Sequence, residues 1–200
     1  MSTRTIMIAR IADEMDRSDL TTQIGNAIDT AIQTYEGQRF WFNESTDTYT
    51  TTSGTDKYAQ PSDLILLDSL VITVNGRNYP LSPRSWGWYQ DNLTDSSITG
   101  QPHSYTVFKT YEYLYPIPDN TYTVTRAYIW KLVITNDTNA WYVEAEPLIR
   151  TEAKRILNFH VIRDLTEGQK MQDEAARLLT MLKNKTVDRI SSGRVRGVYL

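Results

Sequence analysis

The feature that most constrains the fold is a change in hydrophobic period along the 200 residues of the chain. Near both ends apolar residues recur at helical spacing, as at Ile24, Ile28 and Ile32. The middle is instead rich in alternating and β-branched residues, which is typical of strands. Because neither helical end can bury its apolar stripe alone, we expect the two ends to share one core around an inserted β-rich lobe.

The N-terminal pattern over residues 4–36 predicts two helices or one kinked helix. Ser18-Asp19 has the side-chain oxygens of an N-cap, and we expect the second helix to begin there. Gly37 is the predicted stop, because glycine takes the left-handed C-cap conformation easily.

The middle of the chain, residues 40–134, predicts an antiparallel sheet or small sandwich. A strand-like stretch begins at 40–42, and Leu64 to Val74 is apolar enough for a buried strand. Asn75-Gly76 then predicts a type I′ hairpin turn, which needs positive φ at both central residues. Pro83 is the expected start of a short helix.

The C-terminal pattern returns to helix after the polar, cap-forming run 136–139, with one apolar face that includes His160 and Val161. This periodicity ends at Thr186. The predicted fold is therefore α+β, with a helical bundle made of residues 1–39 and 135–185. The β lobe at 40–134 is inserted into that bundle, and an extended C-terminal arm follows at 186–200.

Charge separates the end of the chain from the rest. Residues 183–200 hold five basic residues and one acidic residue, so this segment carries +4; the other 182 residues carry −7 of the overall −3. Such an acidic body is a poor match for a nucleic-acid binder, since phosphate affinity requires clustered Lys and Arg. A basic tail on an acidic body is typical of an attachment arm.

The arm itself combines steering charge with an apolar end. Its candidate docking residues are Arg189, Arg194, Val195, Arg196, Val198, Tyr199 and Leu200. Basic residues followed by an apolar plug suit docking into a groove on another chain. The alternative interpretation is a frayed terminus, which is the common case.

A cluster of aromatic residues at Trp86, Trp88 and Tyr89 is the second candidate partner surface. Exposed aromatic rings stack on sugars or anchor a protein partner. The alternative, which we favour, is that these rings cover the edge of the sheet.

Catalytic and cofactor signatures do not occur in the sequence. His103 and His160 have no metal-ligand spacing, and there is no cysteine, nucleophile elbow, G-x-G-x-x-G or Walker A motif. The carboxylate pairs Glu144/Glu146 and Asp13/Glu14 could do acid–base work in a glycosidase, but acids on amphipathic helices are usually solvated. We expect no enzyme activity, no cofactor and no metal.

Targeting features are also missing from the sequence. The N-terminal apolar run is too short for a signal peptide, and no apolar run reaches the roughly 20 residues that a membrane span needs. We expect synthesis in the cytoplasm and no membrane association.

Seven landmarks give the chain its resemblance to a known family. They are Thr30 to Glu44, Tyr58 to Asp63, Asn75-Gly76, Pro83 to Trp86, Thr99 to Pro102, Leu114 to Asp119 and Glu144 to Lys154. In this order they resemble the head-to-tail adaptor proteins of tailed bacteriophages, which are similar to the tail accessory factors of short-tailed phages. The resemblance covers about residues 1–180 and consists of structural landmarks rather than a catalytic signature.

The resemblance implies a ring, commonly of twelve copies, that lies beneath the portal protein in the neck of the virion. It also implies that the helices line or buttress a channel through which double-stranded DNA passes without sequence-specific binding. The C-terminal segment would dock on the portal, and the β lobe would face outward or contact the next tail component (nozzle, tube or fibre). The alternative hypothesis is a carbohydrate-binding or peptidoglycan-processing virion protein. It predicts that Trp86–Tyr89 or a carboxylate pair lines a cleft.

Overall fold

The computed structural model describes residues 2–93, 98–133 and 137–191. Both helices and antiparallel sheets are present, which confirms the predicted mixed α+β class. The chain divides into two compact units. A helical unit takes the described residues of 1–43 and 131–200, and a β unit takes residues 44–130.

Six α-helices occur in the described part of the chain. They are α1 (Arg4–Glu14), α2 (Thr21–Tyr35), α3 (Trp86–Asn92), α4 (Ala140–Glu144), α5 (Glu146–Leu157) and α6 (Leu165–Ser191). Only α3 belongs to the β unit.

Ten strands are described, all of them in the β unit. They are β1 (Glu44–Thr50), β2 (Lys57–Ala59), β3 (Leu64–Val74), β4 (Arg77–Pro80), β5 (Ser82–Pro83), β6 (Thr99–Gly100), β7 (Ser104–Phe108), β8 (Tyr111–Tyr115), β9 (Ile117–Pro118) and β10 (Thr123–Trp130).

The helical unit has a core drawn from both ends of the chain. The buried face of α2 includes Ile24, Ile28 and Ile32, and that of α5 includes Leu148 and Ile149. Each set recurs at helical spacing, so each gives one apolar stripe. Two further links join the terminal segments.

The first link is between α2 and α5, where the Tyr35 hydroxyl donates to Glu152 Oε2 at 3.2 Å. The second is between α1 and α5, where Glu14 pairs with Arg150 at 2.9 Å and Lys154 at 2.8 Å. Both links join residues more than a hundred positions apart, so the segments before and after the β unit are held together directly.

The start of α2 differs from the prediction. Ser18-Asp19 does not cap the helix but lies in a 3₁₀ turn, Ser18–Leu20, and α2 follows without a side-chain cap. The Asp19 carboxylate is occupied by the Arg17 guanidinium, at 2.8 and 2.9 Å, and so does not reach the free N–H groups of the helix. Gly37 follows the end of α2 but does not have the positive φ that was expected of it.

The C-terminal helices also differ from the prediction. After α5 the chain forms a π-helical turn, Asn158–Ile162, and reverses at Arg163, whose φ is +65°. The π turn shifts the helical phase. His160 and Val161 are therefore exposed and do not continue the apolar face. The loss of helix expected at Thr186 does not occur either, because α6 continues to Ser191.

The β unit consists of two four-stranded sheets and one two-stranded sheet. One four-stranded sheet has the order β1-β10-β3-β4 and is antiparallel throughout, and the other has the order β2-β8-β7-β5. Parallel pairing, which the sequence did not indicate, joins β5 to β7 and β6 to β9. The two larger sheets share a core of Leu70, Ile72, Leu81, Tyr105, Leu114 and Val124, which makes the unit a small sandwich.

The hairpin between β3 and β4 confirms the predicted type I′ turn. Asn75 and Gly76 have φ of +50° and +75°, and Val74 pairs with Arg77. Strand β3 has the predicted bounds. Pro83 begins no helix, because it lies in β5; α3 starts at Trp86, after the N-cap Ser85. The sequence 40–42 likewise forms a turn, and the first strand starts at Glu44.

Candidate partner-binding surfaces

The end of α6 is fixed on the side chain of Trp41. Lys185 Nζ lies 4.6 Å and the Arg189 guanidinium 4.4 Å from the centroid of the Trp41 ring. A cation above an indole ring is attracted by the negative face of the ring. These two contacts therefore fix the position of the last turns of α6.

Trp41 is held in turn by an aromatic cluster. Phe40 and Phe42 stack with their centroids 5.4 Å apart, and Phe42 packs edge-on against Trp141 at 4.9 Å. The Asn43 side chain closes the turn, because it accepts from Phe40 N at 2.8 Å and donates to Gln38 O at 2.8 Å. The platform under the α6 end is therefore packed and hydrogen-bonded.

The predicted docking arm is described only at its start. Arg189 lies within α6, on Trp41, and the first six residues of the predicted arm are helical. Arg194, Val195, Arg196, Val198, Tyr199 and Leu200 lie outside the described residues.

An apolar groove of the helical unit was not predicted from the sequence. It has a volume of about 340 Å³ and is lined by Glu144, Ala145, Pro147, Leu148, Leu178, Met181, Leu182 and Lys185. Met181 is 54% exposed, whereas its neighbour Leu182 is 7% exposed. A polar pair marks one end, where Lys185 Nζ lies 3.5 Å from Glu144 Oε2.

The i, i+3, i+4, i+7 spacing of Leu178, Met181, Leu182 and Lys185 could have indicated one helical face. The spacing alone could not have indicated that α5 covers only part of that face of α6.

The aromatic residues at 86–89 lie between α3 and strands β7 and β8. Trp86 stacks on Phe108 at 4.3 Å and meets Tyr113 at 4.9 Å, and Trp88 meets Tyr115 at 5.2 Å. Trp86 and Trp88 are half-buried. These contacts favour the interpretation that the two tryptophans cover the sheet.

Tyr89 belongs to the packing of the β unit rather than to its surface. It is only 2% exposed, and its hydroxyl hydrogen-bonds to the Asp56 carboxylate. Burial raises the pKa of the Tyr89 hydroxyl, and the Asp56 carboxylate raises it further. Tyr89 therefore offers no ring face to a partner.

An exposed apolar patch lies beside Trp86 and was also missed by the sequence analysis. It contains Leu66, Val107 and Phe108. Two concavities of about 300 and 410 Å³ lie next to it and share Leu67 and Val107 in their linings. Exposed patches of this kind mark interaction surfaces in soluble proteins.

The carboxylates considered for acid–base catalysis are mostly engaged with cations. Glu14 pairs with Arg150 and Lys154, Glu146 pairs with Arg10 and lies 3.8 Å from Arg150, and Glu144 pairs with Lys185. Except for the last, these pairs join α1 to α5 or lie within α5, so the arrangement fits a stabilising role. Asp13 is exposed on α1.

Among residues 2–93, 98–133 and 137–191, no group of three His, Asp or Glu side chains is placed to hold a metal ion. In the same part of the chain no helix is long and apolar enough to cross a membrane.

Comparison with known proteins identifies a family for the chain. The family model described as SU10 adaptor protein matches residues 2–196, a range that includes both units. No curated protein matches the chain.

Proposed function

The chain belongs to the SU10 adaptor protein family, a phage adaptor of the head-to-tail type, and from this premise we propose that it joins portal to tail as one subunit of a ring. The observation that carries the proposal is the extent of the match, 2–196, which covers the helical unit, the inserted β unit and most of the arm. The function is structural rather than enzymatic, and its place is the neck of the virion, after assembly in the host cytoplasm.

The docking element in this proposal is the segment after α6. Arg194 and Arg196 steer the segment to the portal, and Val198, Tyr199 and Leu200 anchor it. Arg189 has a different part, because it packs on Trp41 and so fixes the end of α6 from which the segment starts. A fixed exit point lowers the conformational freedom that the arm loses on docking, which favours binding.

A closed ring repeats one heterologous interface between neighbouring subunits around its axis. Twelve copies would match the number implied by the resemblance. The exposed patch at Leu66, Val107 and Phe108 is a candidate surface for the next tail component. Double-stranded DNA passes through the ring without sequence-specific contacts, and the acidic body supports this because like charge limits sticking.

The experiment is the native mass of the protein mixed with the portal ring of its phage, for the full chain and for a truncation ending at Ser191. This truncation keeps α6 and its contact with Trp41, so it removes the part of the arm that follows α6 without removing any of the helix. We expect the full chain to add to the portal in a fixed number and the truncated chain to fail. An arginine-only variant, Arg194→Ala with Arg196→Ala, should add more slowly and with a weaker salt dependence.

A full chain that ignores the portal would contradict the adaptor proposal. The carbohydrate-binding alternative would then be tested by glycan binding of the full chain and of Trp88→Ala. The packing of Trp86 on Phe108 weighs against this alternative, because a stacked ring has less free face for a sugar.

A further inference from the structure

We propose that, before it meets the portal, the subunit holds its own arm in the apolar groove of the helical unit, with Val198, Tyr199 and Leu200 against Met181. The inference deepens the proposed function and rests on it for the role of the arm. The groove is thus an interaction surface whose occupant is residues 194–200 of the same chain.

The groove has the chemistry of a site for an apolar segment. Leu148, Leu178, Met181 and Leu182 line it, and Met181 leaves over half of its side chain exposed. Covering apolar surface is favourable by about 25 cal/mol per Å². Methionine is unbranched and polarisable, so it adapts to an irregular ligand such as a Tyr or Leu side chain.

The tether between helix and anchor is long enough to reach the groove. Met181 lies ten residues before Ser191 on α6, which is about 15 Å along the helix axis. Tyr199 lies eight residues after Ser191, and eight extended residues span up to about 26 Å. The excess leaves room for the backbone to reverse, and Gly193 and Gly197 tolerate the dihedral angles that a reversal needs.

Charge at the end of the groove is compatible with this path. If the arm returns along α6, Arg194 and Arg196 lie near the end of the groove that Lys185 and Glu144 form. The Glu144 carboxylate has a side chain that is 32% exposed and pairs with Lys185 at 3.5 Å, so a second cation can approach it.

The arm of the same chain is favoured over the arm of a second copy, because its effective concentration at the groove is higher. A short flexible tether gives an effective concentration of about the millimolar range, which is far above that of free subunits in dilute solution. While it lies in the groove, the arm is shielded from other apolar surfaces. Docking on the portal must then draw the arm out of the groove.

The test uses the fact that the chain has no cysteine. Met181→Cys with Tyr199→Cys introduces one pair, and Lys183→Cys with Tyr199→Cys is the matched control. Lys183 is exposed on α6 and lies two residues from Met181, so it points to roughly the opposite side of the helix, only about 3 Å further along its axis. A disulfide requires Cα atoms within about 7 Å.

In oxidising buffer at low concentration we expect the M181C/Y199C pair to form an intramolecular disulfide at least tenfold faster than the control pair, with the mass of a monomer. Equal rates for the two pairs would overturn the proposal. A disulfide that links two chains would overturn it as well and would identify a second copy as the occupant.

The portal ring separates this inference from the proposed function. If the unmodified chain adds to the portal, the disulfide-locked chain should not, and reduction should restore addition. If the disulfide-locked chain adds to the portal as well as the unmodified chain does, the arm need not leave the groove, and the proposal is wrong on that point. If the unmodified chain itself never adds, the adaptor proposal fails, while the rate comparison still decides where the arm lies in the free subunit.

Discussion

Arg126 Nε lies 3.0 Å from Glu112 Oε2, and this ion pair joins the two large sheets of the β unit from the inside. Glu112 has no exposed surface, and Arg126 is 4% exposed. Arg126 also donates to Asp47 Oδ2 at 2.9 Å and to Ala59 O at 2.8 Å. One guanidinium therefore contacts β1, β2 and β8 from its position on β10.

The first prediction concerns this ion pair. Arg126→Met should destabilise the protein by about 3–5 kcal/mol, because it leaves the Glu112 carboxylate buried without its cation. Burial already raises the pKa of Glu112, and Arg126 is the main group that opposes this shift. Urea unfolding of the full chain measures the change.

The matched control is the double variant Arg126→Met with Glu112→Gln, which removes both charges. We expect it to be more stable than Arg126→Met alone, since the remaining polar group is neutral. Equal stability of the two variants would mean that the unpaired carboxylate is not the cause of the loss.

The second prediction concerns alkaline pH. Burial raises the pKa of Tyr35 from 10.0 to about 12, with a further contribution from Glu152. Burial raises the pKa of Tyr142 to about 12 as well, partly opposed by Arg4. The folded state thus favours the neutral form of both phenols. Their contribution to the free energy of unfolding is therefore complete below pH 10 and is lost as the pH rises to about 12.

Because phenylalanine cannot ionise, Tyr35→Phe should lose less stability than the unmodified chain between pH 10 and about pH 12. The difference in the loss should be about 2–3 kcal/mol, which corresponds to a shift of two pKa units. Helical circular dichroism and tyrosinate absorbance against pH measure the effect. Tyr79→Phe, at an exposed position of the β unit, is the control and should follow the unmodified chain. A Tyr35→Phe profile that superimposes on that of the unmodified chain would refute the assignment.

The third prediction concerns the end of α6. Trp41→Ala removes the ring beneath Lys185 and Arg189, and each cation–π contact at an exposed site contributes about 0.5–1 kcal/mol. The amides of the last two turns of α6 should then exchange faster, by about fivefold to thirtyfold. Hydrogen exchange with mass spectrometry measures the change, and Trp88→Ala in the β unit should leave these amides unaltered.

The fourth prediction concerns the β3–β4 turn. Gly76→Ala should cost about 1–2 kcal/mol, because Gly76 has a φ of +75° that a β-carbon disfavours. Gly37→Ala is the control, since Gly37 has no positive φ and nothing lies within 4 Å of an added β-carbon. Thermal unfolding should separate the two variants, and equal losses would show that φ is not the cause.

Local chemistry explains which elements could be predicted from the sequence. The Asn75-Gly76 turn was predicted correctly because both positive φ values depend on the two residues themselves. The cap at Ser18-Asp19 was wrong because Arg17 competes for the Asp19 carboxylate. The strand expected at 40–42 is a turn because Asn43 hydrogen-bonds back to Phe40 and Gln38.

The candidate surfaces were less predictable than the elements. Tyr89 was grouped with Trp86 and Trp88, but it is buried and hydrogen-bonded to Asp56, which lies 33 residues earlier in the chain. The groove at Met181 was missed although its α6 residues lie on one helical face, because its other wall comes from residues 144–148. In both cases the deciding neighbour comes from a distant part of the sequence.

The sequence by itself determined the order helix, strand, helix, because hydrophobic period is a property of consecutive residues. Only the tertiary structure decided which apolar side chains are covered. Met181 and Leu182 are adjacent apolar residues of α6, yet Met181 is 54% exposed and Leu182 is 7% exposed. Their difference depends on where α4 and α5 lie against α6, and that placement follows from packing across the whole helical unit rather than from any local stretch of the chain.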